Sequence, residues 1–235
     1  MPVPASGRTA ERLTGMEITP QAVPAWALTG AWGLAALVLA LQVWPLWRHL
    51  RGSGQEAARL LLVLAVVLVA VRWFNTAPLQ GVMLHLTGAT IATLLVGAGP
   101  ACWVMAVASL AGVLMGAAWH GWALDFLVTG ALPVGVTAVF SRAVRRWLPH
   151  NIFVYVMGNA FFAAAVAMAA SVLAKFAVVA WLGSRSAAAY LVATPLLMLA
   201  EAFLTGTLMA VIVVYRPQWC ASFDDKVYLW PERPM

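Results

Sequence analysis

The sequence predicts an all-α, polytopic transmembrane helical bundle, and three observations carry that prediction. Of the 235 residues 63% are hydrophobic and only 9% charged, against roughly 25% charged in soluble domains. The apolar residues fall in long uncharged runs, and a helix needs roughly 20 of them to cross a hydrocarbon core about 30 Å thick. The runs are continuous and rich in Ala, Leu and Val. That favours helices over alternating barrel strands, the only other structures that satisfy their backbone groups in lipid.

Met1 to Gly15 is polar, carries Arg8, Glu11 and Arg12, and lacks the apolar core of a secretory signal peptide. Residues 1–15 are therefore read as an amino-terminal extension. Residues 16–217 form the transmembrane domain and 218–235 a cytoplasmic tail. About seven apolar spans are expected: Ala25–Trp47, Ala58–Phe74, Val82–Gly97, Ala101–Trp119, Trp122–Phe140, Ile152–Leu182 and Ala188–Tyr215. The third is short and the sixth long.

Basic residues in short loops set orientation. Arg48, Arg51 and Arg59 flank the first loop; Arg142, Arg145 and Arg146 flank the fifth; Arg216, Lys226 and Arg233 lie in the tail. An odd number of spans with these loops inside puts the amino end outside and the tail in the cytoplasm. The net charge of +6 is thus mainly an orientation signal. Its dispersal among loops argues against nucleic acid as a partner and leaves the lipid bilayer. Trp44, Trp47, Trp73, Trp119, Trp122, Trp147 and Trp181 fall near span ends, where amphipathic rings prefer the headgroup level.

Polar residues inside spans each need a partner or a role. His85, Asp125, Asn159, Lys175 and Glu201 are of this kind. Arg72 and His120 lie nearer the interface and are expected to be solvated there by snorkelling or water. Asp125 and Asn159 read as interhelical hydrogen-bond partners. Lys175 is expected to mark where the long sixth segment leaves the bilayer. Glu201 stands between a helix-to-helix pairing and a transport role. His85 is a transition-metal ligand type, yet one imidazole is not a site. Met83 carries a soft sulfur, but residues two apart on a helix diverge. Ala163 and Ala167 share a small-residue spacing that lets helix backbones approach.

Cys102 in an apolar run and Cys220 in the tail have no CxxC spacing. The chain has no GxxxxGK[ST], HExxH or GxSxG motif, so nothing points to P-loop ATP hydrolysis, a zinc protease or a nucleophile elbow. No enzymatic activity is expected.

Phe74-Asn75, Gly81-Val82-Met83-Leu84-His85-Leu86-Thr87-Gly88-Ala89-Thr90, Glu201-Ala202-Phe203-Leu204-Thr205-Gly206 and Arg216-Pro217 together resemble the CbiM/NikM family. These are membrane substrate-capture components of energy-coupling-factor cobalt and nickel transporters. Asn151-Ile152-Phe153-Val154-Tyr155 and the run Phe223 to Leu229 resemble its proteobacterial branch. The resemblance implies a bacterial inner-membrane protein that takes up a divalent ion, cobalt or nickel. It also implies a transmembrane coupling protein and separate ATPase subunits as partners, docked on small-residue faces such as Ala163/Ala167.

The family holds its ion with the free amino terminus, an adjacent His and a later His, which His85 matches. The family's Met-His-Ile start reads Met16-Glu17-Ile18 here. A start at Met16 supplies the amine, Glu17 offers oxygen in place of imidazole, and Met83 stands where some members carry a second His. The metal candidates are therefore His85, Met16, Glu17 and Met83. The loss of the amino-terminal His leaves an alternative: a non-transporting membrane partner that keeps the fold without the site.

Overall fold

The computed structural model describes residues 23–73, 76–79, 82–114, 118–183, 187–224 and 228. Met16, Glu17 and the extension 1–15 lie outside them. The architecture is helical, with one short hairpin. Helices α1 (Ala25–Gly52) and α2 (Gly54–Arg72) are followed by strands β1 (Thr76–Leu79) and β2 (Val82–Leu84). Then come α3 (Ala89–Val96), α4 (Ala98–Leu114), α5 (Trp119–Trp147), α6 (Ile152–Trp181) and α7 (Ala187–Tyr215). Five of these, α1, α2, α5, α6 and α7, are long and apolar enough to cross a membrane, and α4 is a shorter apolar helix. A multi-pass membrane protein follows, which in a bacterium resides in the inner membrane.

The third expected span, Val82–Gly97, is not one helix. β2 pairs antiparallel with β1, matching Thr76 with Leu84 and Leu79 with Val82. His85 to Gly88 then runs without regular structure, and only eight residues form α3. The break falls at Gly88, whose φ is 63°. A side chain is strained there, and a Cβ would collide with Leu68 Cδ2 of α2. Apolar composition alone does not distinguish a half-helix from a span.

Gly54, with φ 56° and ψ −132°, separates α1 from α2, and the chain reverses there. Trp32 of α1 donates to the His120 carbonyl (3.2 Å) and Arg72 at the end of α2 pairs with Asp125, so both meet the first turns of α5. Trp26 stacks edge-on against Trp181 at 5.8 Å, which brings the start of α1 to the end of α6. One end of the bundle therefore gathers the starts of α1, α5 and α7 and the ends of α2 and α6. The opposite end is basic, with Arg48, Arg51, Arg142, Arg145, Arg146 and Arg216. Exposed tryptophans ring both ends, Trp26, Trp119 and Trp181 at one, Trp44, Trp47, Trp147 and Trp219 at the other. Arg51 lies 4.3 Å over the Trp47 ring, a pairing suited to the headgroup region.

Two helices widen locally. Leu127–Ala131 in α5 and Tyr155–Phe162 in α6 take the π form, which displaces backbone carbonyls from their usual partners. Ser171 of α6 donates to one of these, Val128 O, at 2.9 Å. Thr90 of α3 and Thr137 of α5 share a 2.9 Å hydrogen bond. Ala163 and Ala167 are buried. Their small faces let α6 pack within the bundle, so the expectation that they form a docking surface is corrected.

Beyond α7 the chain folds back across the basic end. The Ala221 and Ser222 N–H groups donate to Leu95 O (2.9 Å) and Leu94 O (3.2 Å) at the last turn of α3. The Ser222 hydroxyl also donates to Leu94 O (2.8 Å), and the Arg145 guanidinium donates to Ser222 O (3.1 Å). Tyr155, Phe223 and Tyr228 pack as an aromatic cluster beneath the tail, with centroids 4.9–5.2 Å apart.

Replacing Gly88 with Ala is expected to lower thermal stability in detergent by the strain of a left-handed backbone, about 1–2 kcal/mol, plus the Leu68 collision. Gly112→Ala, in the helical backbone of α4 with open space around it, is the control and is expected to keep or slightly raise stability. Burial pushes the Cys220 thiol up to about 12. A Cys102→Ser background is thus expected to resist maleimide at pH 7, and Ser222→Ala to accelerate labelling as the tail loosens.

Candidate functional site

The extended run His85-Leu86-Thr87-Gly88 enters the bundle between α2, α5 and α7, and two buried polar clusters hold it. Glu201 stands midway along α7 and is 1% exposed. One carboxylate oxygen accepts from the Thr87 N–H at 2.9 Å. The other accepts from the Gly88 N–H at 2.7 Å and the Thr87 hydroxyl at 3.0 Å. Gly88 has no side chain with which to cap α3. The carboxylate does this instead, and negative charge at a helix start is favourable. The Lys175 ammonium, 2% exposed, interacts electrostatically with the same carboxylate. Lys175 therefore lies inside the bundle on a helix that continues to Trp181. That corrects the expectation that it marks an exit from the bilayer.

The second cluster centres on Arg72. Its Nη2 donates to Asp125 Oδ2 at 2.7 Å and to Thr129 Oγ1 at 2.8 Å. Thr129 in turn donates to the Asp125 carbonyl at 2.9 Å, inside the widened turn of α5. Arg72 is 8% exposed, so it is a core ion-pair partner and not the snorkelling residue the sequence led us to expect. The opposite charge of Asp125 is what admits it, since an unpaired guanidinium there would be costly.

His85 is buried against the same guanidinium. Arg72 Nε and Nη2 both lie 3.4 Å from His85 Nε2. A guanidinium can only donate, so the geometry directs the Nε2 lone pair at Arg72 and assigns the ring proton to Nδ1. These contacts are long for hydrogen bonds, and they hold a cation where an ion on Nε2 would sit. Among the described residues no group of three or more His, Cys, Asp or Glu gathers as a metal site. Met83 lies in β2, two residues before His85. Asn159, expected to make an interhelical hydrogen bond, sits buried in the widened turn of α6. Its Oδ1 has no hydrogen-bond partner among the described residues.

Residues 17–219 match the CbiM family, described as the cobalt uptake substrate-specific transmembrane region. The chain belongs to the CbiM family. It is thus a membrane component of a cobalt uptake transporter. Neither a curated protein nor a solved structure gives a match. The CbiM match runs from Glu17 through every helix to Trp219. It therefore takes in Arg72, Asp125, Lys175 and Glu201 as well as His85.

Sequence reasoning reached His85, Asp125 and Glu201 but missed Arg72 and Thr87 as their partners. The signal for Arg72 lay in the charge balance, because a cation and an anion in different spans of one bundle are cheapest when paired. The signal for Thr87 was weaker, because its backbone N–H, common to every residue, does much of the binding.

Glu201→Gln keeps one acceptor but turns an amide N–H toward backbone donors. It is expected to cost about 1–3 kcal/mol in thermal or denaturant unfolding. Asp125→Asn strands a buried guanidinium and is expected to cost about 3–5 kcal/mol. Equal, negligible effects of both would sink the two-cluster description.

Proposed function

We propose that this chain is the substrate-capture component of an energy-coupling-factor transporter for a divalent ion of the cobalt or nickel class. It works with a transmembrane coupling protein and separate ATPase subunits. The amino end is outside and the tail cytoplasmic, as the basic residues at the tail end favour. The observation that carries this reading is the recessed, buried His85–Gly88 run, held between α2, α5 and α7 by Glu201 and Arg72. It offers one imidazole, His85, between those two buried polar clusters.

One imidazole does not retain a divalent ion, so further donors are needed. The start of α1 lies at the same end of the bundle as Asp125 and Arg72, and Met16 and Glu17 precede it in the sequence. This supports Met16 and Glu17, with Met83, as partners of His85. Arg72 competes with the ion for Nε2, so capture requires the guanidinium to withdraw onto Asp125 and Thr129, which already accept from it. No covalent step is involved.

A second reading is a membrane partner that keeps the fold without transporting. The guanidinium against His85, together with Glu17 in place of a His, favours it. Thermal stabilisation of the purified chain separates the two. Under the first reading Co(II) or Ni(II) raises the melting temperature, and His85→Ala abolishes the shift. Absence of any shift with Co, Ni, Cu or Zn ions, in a chain that unfolds cooperatively, would favour the second.

A further inference from the structure

At the basic end a cavity of about 550 Å³ lies between the C-terminal turns of α5, the α3–α4 junction and the returning tail. Ser141, Arg142, Arg145 and Arg146 form its polar side, and Leu94 and Ala138 are among its apolar residues. No acidic residue is among those described as lining it. Arg145 is already fixed by its bond to Ser222 O (3.1 Å). Arg142 and Arg146 are one helical turn apart, so their guanidiniums rise from the same face of α5. Ser141 is among the residues that line the same space, while its Oγ is shielded from solvent.

We propose that this cavity is a binding site for the phosphate group of an anionic glycerophospholipid. Two guanidiniums match the acceptor oxygens of a phosphate. The apolar wall beside them suits the first carbons of an acyl chain. Trp147, exposed one residue beyond Arg146, marks the headgroup depth at which such lipids lie. A bound headgroup touches Thr93, Leu94 and Gly97 at the end of α3 as well as Ser222 of the tail. It therefore clamps the half-helix whose other end carries His85. This site is independent of the metal assignment, because it lies at the opposite end of α3 and uses none of the same residues.

The test is native mass spectrometry of the full chain in detergent, titrated with dioleoylphosphatidylglycerol or dioleoylphosphatidylcholine. The expected result is about tenfold tighter retention of phosphatidylglycerol. That preference should disappear in Arg142→Gln/Arg146→Gln and survive in Arg48→Gln/Arg51→Gln, which removes as much charge from the same end. Equal retention of the two lipids, or equal loss in both arginine pairs, overturns the proposal in favour of diffuse surface attraction. Inorganic phosphate at millimolar concentration forms a separate arm. No displacement of lipid supports the headgroup as the source, whereas full displacement overturns it in favour of free phosphate.

Discussion

The carboxylate of Glu201 on the N–H groups of Thr87 and Gly88 is the contact on which the rest of the architecture depends. A carboxylate in an apolar bundle carries a large desolvation cost, and this one offsets it with three donors and a nearby ammonium. The donors belong to a segment that breaks its own helix. Leaving the Thr87 and Gly88 N–H groups bare in the bundle would also be costly. Each side therefore needs the other. The centre of α7 is tied to the start of α3, and α3 is then fixed at its far end by the tail amides on Leu94 and Leu95. An eight-residue helix, too short to be stable alone, is held at both termini by other parts of the chain.

The second cluster balances charge in the same neighbourhood. Arg72 faces Asp125, and Lys175 acts on Glu201, so among the described residues each of these two carboxylates has a basic side chain set against it. Any ion that reaches the imidazole must bring or recruit anionic donors, or move a cation aside. Selectivity in a site of this kind is set as much by what must be displaced as by the ligands themselves.

Much of this fold was legible in the sequence because lipid imposes harsh rules. Long uncharged runs, tryptophans at their ends and arginines between them mapped onto helices, exposed rings and a basic end. The half-helix was not legible. Val82–Gly97 is as apolar as a true span, and only the left-handed Gly88, its neighbour Leu68 and the remote Glu201 decide that it breaks. His85 and Glu201 stood out as polar residues in apolar runs. Their partners did not, since Glu201 binds backbone groups that no residue type announces. The burial of Lys175 and Arg72 depends on carboxylates in other helices, which no local pattern reports. Ala163 and Ala167 had the right spacing for packing, but spacing does not say whether the partner is in the same chain.

The shortness of α3 has an electrical consequence. Eight residues of helix rise about 12 Å, well under half of a hydrocarbon core about 30 Å thick. From the far end of α3 the open cavities beside Gly97 lead out between arginines. The full drop of a membrane potential is worth about 2.3 kcal/mol per elementary charge per 100 mV, and twice that acts on a dication. A segment that covers less than half of the core leaves the rest of that insulation to the long helices packed around it.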